Sequence, residues 1–369
     1  MKSVIIIGGG LAGLISSILL ARKGVACTLI ERKAYPMHRV CGEYVSNETR
    51  PFLEASQLFP MHLNLPAISR FQLSSTSGKS VVLPLDLGGF GVSRYAFDAF
   101  LFEQAKAAGV AFQLEQEVES VIFANDRFQI KTRVHNYEAD VVVGAHGKRS
   151  KLDVAMNRGF MLHRSPYVAV KYHLRTEHPA DLIALHNFEG GYCGVSRVEN
   201  EVVNMCYLTI RDNLRRYGDI AAMEAEVLWR NPLLRSIISN SDRIFDSPLV
   251  INEISFATKQ PVENHVLMAG DAAGMITPLC GNGMAMAIHS AKVASALITD
   301  FASGKTDRET MEHRYRLQWR KLFARRLWAG RQIQKLFGSS AASKLAIALA
   351  IHSRPVANAI IRNTHGDVF

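Results

Sequence analysis

The sequence predicts an α/β fold: a Rossmann-type dinucleotide-binding domain with an inserted, mainly antiparallel β-sheet domain and a helical C-terminal region. Three patterns predict it: an N-terminal strand, glycine-rich turn and helix; strand-like segments through the middle; and a mostly helical pattern after residue 285. The 369 residues, 48% of them hydrophobic, can bury a large core, which excludes a disordered or fibrous protein.

The N-terminal segment has the order of a βαβ unit. Residues 3–7 are apolar and β-branched, residues 11–23 have helical spacing, and residues 25–31 form a second apolar strand that ends at Glu31. Between strand and helix, residues 8–13 read G-x-G-x-x-G. Such a turn brings the backbone close to a pyrophosphate at a helix N-terminus, and a terminal acid accepts hydrogen bonds from a ribose. A purely structural glycine turn is the alternative.

The middle of the chain predicts a second lobe that is interleaved with the first. Alternating segments at residues 66–92 and 168–210 indicate an antiparallel sheet, whereas residues 97–108 predict a helix and residues 112–118, 127–134 and 139–143 predict strands. The predicted dinucleotide-binding domain therefore comprises residues 1–65, 93–160 and 256–302. The inserted substrate domain comprises residues 66–92 and 161–255, and C-terminal helices occupy residues 303–369.

A second motif lies 257 residues after the first. The strand at residues 266–269 ends in Gly270 and Asp271, where a carboxylate meets ligands of an open α/β sheet, and the turn at residues 278–283 opens a helix. Asp271 can accept hydrogen bonds from a polyol such as the ribityl chain of FAD. One long ligand, FAD, would bridge both motifs, whereas the nicotinamide nucleotide has no dedicated fold, since only one G-x-G-x-x-G has the required context.

These motifs resemble the flavoprotein monooxygenases of the p-hydroxybenzoate hydroxylase fold, and within them the geranylgeranyl reductase-like branch, over about residues 1–300. The segments at residues 39–43, 91–94 and 270–284 carry the resemblance, with Asn282 where a Glu is more usual. The motifs and the resemblance together imply that FAD is bound by Gly8, Gly10, Leu11, Ala12, Gly13, Glu31, Arg32, Arg39, Cys41, Gly42, Arg94, Val118, Gly270, Asp271, Pro278, Gly281, Asn282, Gly283 and Met284.

One departure concerns His146, which replaces the acid that the family associates with FAD and reduced nicotinamide. The substitution puts direct reduction by NAD(P)H in doubt, although Lys148 and Arg149 could receive a phosphate. A hydrogen bond of His146 within its own loop is the plain alternative. Flavin halogenases share the architecture, but their Trp-x-Trp-x-Ile-Pro signature is missing.

The sequence identifies the residues around the reacting centre less clearly than those of the FAD site. The resemblance puts Cys41 near the flavin ring, and Glu43 is a candidate proton donor; a buried apolar thiol and a hydrogen-bonded loop residue are the alternatives. Phe188, Tyr192 and Tyr207 are candidates for lining a substrate pocket, or else belong to the sheet core. The five scattered cysteines include no C-x-x-C pair, so no metal site or disulfide framework is expected, and a cytoplasmic location follows.

The sequence thus predicts an FAD-dependent oxidoreductase of secondary metabolism. It would be a monooxygenase or an alkene reductase acting on an apolar aromatic, polyketide-like or isoprenoid substrate, with NAD(P)H as transient electron donor. The breadth of the fold family favours hydroxylation. The rivals are a flavin-binding regulator without turnover and a peripheral membrane lipid reductase.

The formal net charge of +10 bears on the partners. No nucleic-acid motif accompanies it, and no apolar run is long enough to span a membrane. Basic residues recur late in the chain, which fits a solvated helix face, a carrier or electron-donor protein, or a membrane surface. They are Arg314, Arg316, Arg320, Lys321, Arg325, Arg326, Arg331 and Lys335; an apolar stretch at residues 345–361 follows.

Overall fold

The structure, a computed structural model, describes residues 2–162, 165–278, 281–334 and 366–369. The strands in this part of the chain are β1 Ser3–Ile7, β2 Ala26–Glu31, β3 Tyr44–Ser46, β4 Ala67–Ser74, β5 Ser80–Gly91, β6 Ala111–Leu114, β7 Val118–Ala124, β8 Arg127–Thr132, β9 Asn136–Ala139, β10 Val141–Gly144, β11 Tyr167–Arg175, β12 Leu182–Phe188, β13 Gly191–Arg197, β14 Val203–Ile210, β15 Asp242–Arg243, β16 Leu249–Asn252, β17 Val262–Glu263 and β18 Val266–Met268. The helices are α1 Leu11–Ala21, α2 Arg50–Ala55, α3 Arg94–Ala107, α4 Lys151–Ala155, α5 Arg211–Tyr217, α6 Ile220–Glu226, α7 Pro232–Ser239, α8 Gly283–Ala302 and α9 Arg308–Gln334.

A six-stranded sheet forms the nucleotide-binding lobe, in the order β17-β18-β10-β1-β2-β6. Its strands are parallel except for β17. Because β1, β2 and β10 are almost wholly buried, they are continuous apolar runs, as parallel strands covered on both faces usually are. Helix α1 packs on this sheet and α3 and α8 pack against α1, and the carboxyl ends of β1, β10 and β18 meet at one edge.

A nine-stranded sheet forms the second lobe, in the order β15-β11-β14-β13-β12-β4-β5-β3, with β16 also paired to β11. The β4–β12 pair is parallel and the other pairs are antiparallel. The even-numbered residues of β11, from Val168 to Leu174, pack in a core with residues of α6 and α7. Its odd-numbered residues therefore face the first lobe, since side chains alternate along a strand.

The predicted fold class is confirmed, with differences in the bounds of some elements. Residues 112–118, predicted as one strand, are the end of β6 and the start of β7, because the chain turns at Glu115, whose φ is +57°. Strand β3 lies in a segment assigned by sequence to the nucleotide-binding domain, yet it pairs with β5 in the large sheet. The apolar stretch at 345–361 and Lys335 lie outside the described residues.

A small sheet and a long helix lie outside the two large sheets. Strands β7, β8 and β9 form this small antiparallel sheet. Helix α9, 27 residues long, follows α8 and packs on it. Among the described residues, no helix has the length and apolar character needed to cross a membrane.

Candidate active site

A cavity of about 490 Å³ lies between the two sheets. Except for Gly13 and Phe188, every residue assigned to a site from the sequence lines it. The cavity begins at the Gly8 turn, passes the carboxyl ends of β1, β10 and β18, and ends against the inner face of the large sheet, where Tyr192 and Leu208 lie. The two sequence motifs therefore border one continuous space.

The glycine-rich turn has little room for side chains. Gly8 has a φ of +103°, and a Cβ there would lie 2.4 Å from the Ala145 carbonyl oxygen. A Cβ on Gly13 would lie 1.9 Å from the Gly8 carbonyl oxygen, so Gly13 serves the close packing of helix and strand, and for this reason it does not line the cavity. The N-terminus of α1 is left open to an anionic group.

Glu31 and two arginines fix the rim of this turn. The Gly9 amide donates to Oε2 of Glu31 at 2.7 Å, and Nη2 of Arg39 lies 3.4 Å from the same oxygen. Nε of Arg39 donates to the buried carboxylate of Asp98 at 3.1 Å, and Arg94 donates to both oxygens of Asp98 at 2.7 Å. Asp98 thus holds both guanidinium groups beside the turn.

The second motif is fastened to the neighbouring loop by a buried lysine. Nζ of Lys259 donates to the backbone oxygens of Lys148 and Asp271 at 2.7 and 2.8 Å. Burial lowers the pKa of Lys259 to about 8 and raises the pKa of Asp271 above its usual range. The Asp271 carboxylate borders the cavity, and no described residue hydrogen-bonds to it, so it is available to a hydroxyl-bearing ligand.

The comparison with protein families bears on which ligand this cavity binds. A protein-family model with the description "FAD binding domain" matches residues 1–327 of this chain. The chain belongs to this FAD-binding family. It is an FAD-dependent oxidoreductase, and the family resemblance inferred from the sequence is confirmed.

The chain is also similar to two curated relatives and, in fold, to one solved structure. The chain is 22% identical to digeranylgeranylglycerophospholipid reductase 2 of Methanopyrus kandleri, over 93% of this chain and 88% of the relative. It is also 22% identical to violacein synthase of Chromobacterium violaceum, over 81% of this chain and 78% of the relative. A flavin-dependent brominase matches with a TM-score of 0.80 at 18% identity, covering 98% of this chain and 93% of that one.

The residues present fit FAD. The turn at Gly8 and Gly10 and the N-terminus of α1 suit the pyrophosphate, and Glu31 suits the ribose of the ADP part. The unpartnered Asp271 carboxylate, at the far side of the same cavity, suits the hydroxyls of the ribityl chain. Individual contacts to FAD remain predictions.

His146 hydrogen-bonds to a nearby residue of the chain, as in the plain alternative, and it also lines the cavity. Its Nε2 lies 3.0 Å from Oδ1 of Asp153, and the side chain is 6% exposed. Burial opposes ionisation of Asp153, but hydrogen bonds and charge from His146 and Arg158 keep its pKa below the usual range. Arg158 also donates to the Ala272 backbone oxygen at 3.0 Å, so this cluster connects the His146 loop to the Asp271 segment.

The segment that carries Cys41 is held by a buried lysine on β11. Nζ of Lys171 donates to the backbone oxygen of Arg39 at 3.1 Å and also to the Glu43 carboxylate, so it bridges the residues two before and two after Cys41. Nε2 of His173 lies 2.7 Å from Oε2 of Glu43. Both Lys171 and Glu43 are fully buried. We call residues 39–43 the Cys41 segment.

Further hydrogen bonds fix the backbone of the Cys41 segment. Nδ2 of Asn204 donates to the Cys41 carbonyl oxygen at 3.2 Å, the Arg94 amide donates to Oε1 of Glu43 at 2.8 Å, and the Glu43 amide donates to Sγ of Cys41 at 3.5 Å. Glu43 has a φ of +56°, a conformation that favours glycine, and these contacts hold it there.

The pKa values of the two candidate catalytic residues, Glu43 and Cys41, shift in opposite directions. Burial alone would raise the pKa of Glu43, but the Lys171 charge and the His173 contact outweigh it and lower that pKa. Glu43 is therefore a carboxylate that accepts hydrogen bonds, which fits the alternative of a hydrogen-bonded loop residue, and its role as a proton donor stays a prediction. Burial raises the pKa of Cys41, and raises that of Cys206, which also lines the cavity, to about 12. Both are neutral thiols at neutral pH.

The predicted pocket aromatics divide between the two faces of the large sheet. Tyr192 lines the cavity, and its contact with substrate stays a prediction. Phe188 does not: it packs on the opposite face against Tyr207, with ring centroids 6.0 Å apart. Tyr207 borders the cavity, but its hydroxyl donates at 2.8 Å to Glu224 of α6, a residue that does not line the cavity. The alternation of side chains along β12 and β14 explains this correction.

Sequence reasoning missed Lys171, His173 and Lys259. The first two had a signal: they are the charged or ionisable residues at alternate positions of the otherwise apolar strand β11. Such residues on a buried strand need partners, which predicts a polar cluster on one face. Lys259 had no signal, because it lies outside the described helices and strands and acts through backbone oxygens.

Proposed function

We propose that the protein uses bound FAD to reduce a carbon–carbon double bond of an apolar, isoprenoid-like substrate. The observation that supports this most directly is the neutral thiol of Cys41 at a cavity that also has an apolar wall. A reduced flavin supplies a hydride equivalent, and reduction of an isolated alkene also needs a proton, which a neutral thiol can donate.

The substrate wall supports an apolar ligand. Ala169, Leu185, Tyr192, Leu208 and Ile254 cluster on the inner face of the large sheet, and each is at least nine-tenths buried. Burial of such side chains against a ligand excludes water from the neighbouring thiol and favours hydrocarbon over polar groups. The match to a relative named digeranylgeranylglycerophospholipid reductase, over most of both chains, supports the isoprenoid class.

The protein residues have separate tasks in this proposal. Glu31, Asp271 and the Gly8 turn hold the cofactor, and the Cys41 thiol donates the proton. Lys171 and the Glu43 carboxylate position that thiol without taking part in proton transfer, because each is satisfied by the other. NADH or NADPH is proposed as the transient electron donor.

Hydroxylation is the second candidate. It is favoured by the resemblance of the motifs to flavoprotein monooxygenases, and by the breadth of that fold family. The two candidates differ in what they require: a hydroxylase inserts an oxygen atom from dioxygen, whereas a reductase works without oxygen and adds two hydrogens. A regulator without turnover would do neither.

The test is a single turnover of the dithionite-reduced protein without oxygen. The flavin absorbance is followed after mixing with a polyprenyl alkene or with a phenol, and the products are weighed by mass spectrometry. We expect reoxidation of the flavin by the alkene and a product with two added hydrogens. Reoxidation only when dioxygen is admitted, with an oxygen atom in the product, would identify a hydroxylase instead.

Matched cysteine variants test the proton donor. Cys41→Ala should keep its FAD and lose about 100-fold or more in the rate of alkene reduction, as expected when a general acid is removed. Cys41→Ser retains a hydroxyl donor and should lose less, and Cys206→Ser is the control thiol in the same cavity. Equal rates in Cys41→Ala and the unmodified protein would contradict the role, and so would a covalent Cys41 adduct.

A further inference from the structure

Helix α9 has a buried face and an exposed face with different chemistry. Met311, Tyr315, Trp319 and Phe323 are buried in the main core. On the other side, Leu317, Lys321, Ala324 and Trp328 are exposed and follow the spacing i, i+4, i+7 and i+11, which aligns them in one stripe. We call this stripe, together with the exposed Arg314, Arg320 and Arg325 that flank it, the outer face of α9.

The outer face is strongly basic. Residues 313–334 contain seven Lys or Arg residues and no Asp or Glu. Some of the seven also contact the protein itself: Arg326 donates to the buried Glu48 at 2.9 Å, Arg316 to Glu312 at 3.1 Å and Arg320 to the neutral Gln260 at 3.3 Å. The exposed basic residues therefore present a positive charge that no carboxylate of this part of the helix offsets.

Two large apolar side chains lie within this basic surface. Leu317 is 54% exposed and Trp328 is 59% exposed. They are eleven residues apart, so they lie about 16 Å from each other along the helix, on either side of Lys321. Their exposure leaves apolar area in contact with water on the same stripe as Lys321, and a partner that combines anions with an apolar layer would cover it.

We propose that the outer face of α9 docks on an anionic lipid bilayer. Trp328 and Leu317 would enter the interfacial region, and the surrounding Lys and Arg side chains would reach the lipid phosphates with their charged ends while their alkyl stems lie along the acyl boundary. A bilayer supplies the anions together with a continuous apolar layer parallel to the helix, which both side chains can enter. The docking is independent of which reaction the flavin supports.

The experiment is sedimentation of the full-length, FAD-loaded protein with vesicles. Vesicles of phosphatidylcholine alone are compared with vesicles that also contain phosphatidylglycerol, at low and high salt. We expect binding that requires phosphatidylglycerol and weakens with salt. Lys321→Glu should weaken this binding roughly tenfold or more, since each basic residue near an anionic surface contributes about a fivefold factor and the substitution also adds a negative charge. Trp328→Ala should weaken it severalfold.

Matched controls separate the outer face of α9 from general charge and hydrophobicity. Lys79→Glu makes the same charge change on an exposed hairpin of the other lobe, and Met61→Ala removes another exposed apolar side chain; neither should alter binding. FAD content measured by absorbance confirms that each variant is folded. Failure to bind phosphatidylglycerol vesicles would overturn the proposal, and so would unchanged binding of both Lys321→Glu and Trp328→Ala.

Discussion

The substitution Lys171→Met tests whether the buried lysine holds the Cys41 segment. The change keeps the length of the side chain but leaves the Glu43 carboxylate without its nearest cation, in a place where both residues are fully buried. Removal of one partner of a buried ion pair costs about 3–5 kcal/mol of unfolding free energy. Glu43 keeps His173 at 2.7 Å and the Arg94 amide at 2.8 Å, so we expect the lower end, about 3 kcal/mol.

The assay is urea unfolding followed by circular dichroism in the presence of excess FAD. In the double variant Lys171→Met/Glu43→Gln the uncompensated charge is gone, and about 1 kcal/mol or more should be regained. Iodoacetamide should also alkylate Cys41 faster in Lys171→Met than in the unmodified protein. Full stability of Lys171→Met, or no recovery in the double variant, would refute the role of the pair.

The pH dependence of this variant follows from the pKa of Glu43. Because Lys171 lowers that pKa in the folded protein, the pair stabilises the protein above the usual carboxylate pKa of 4.5 and stops doing so as pH falls through the lowered value. In Lys171→Met the carboxylate can take up a proton instead. The stability deficit of the variant should therefore be largest near neutral pH and should shrink on acidification.

The remaining predictions concern the cofactor. Asp271→Ala should fold but lose most of its FAD, because hydrogen bonds to a charged acceptor are worth about 1.5–3 kcal/mol each; full flavin occupancy would refute the assignment, and the exposed Asp212→Ala is the control. Glu31→Ala should weaken FAD binding in equilibrium dialysis without creating tight NADP binding, since the Gly9 amide loses its acceptor; release of bound NADP in place of FAD would contradict this. Gly13→Ala should abolish FAD binding, because the new Cβ would meet the Gly8 oxygen, whereas Gly159→Ala, with open space around it, should be neutral.

The nucleotide half of the site could be predicted because its chemistry depends on backbone shape. A turn that needs glycine at Gly8 and Gly13 leaves a spacing that is readable in the sequence, and the strand-ending residues Glu31 and Asp271 follow from the rule that parallel strands end at one edge. The structure gathers Gly8, Glu31 and Asp271 around one cavity, although they are up to 263 residues apart.

The substrate half could be predicted only in part, because strand periodicity gives two faces without saying which one meets the ligand. Phe188 and Tyr192 were equally good pocket candidates, and they lie on opposite faces of the large sheet. On β11, Lys171 pairs with Glu43, and this tertiary contact identifies the face of the strand that meets the cavity. No local sequence pattern predicts such a contact. A one-residue shift of any strand would exchange the two faces.

The Cys41 segment connects the two ends of the cavity, and this makes cofactor binding and thiol position dependent on each other. At one end, Arg39 contacts Glu31 and the Gly9 carbonyl oxygen beside the dinucleotide turn. At the other, Lys171 holds the Arg39 backbone and the Glu43 carboxylate, with the Cys41 thiol between them. Because only one residue separates Arg39 from Cys41, a shift of Arg39 moves the thiol as well. We therefore expect FAD, once bound against Glu31 and Arg39, to slow alkylation of Cys41 by fixing this segment, and to slow it less in Lys171→Met. Equal alkylation rates with and without FAD in the unmodified protein would show that the two ends are independent.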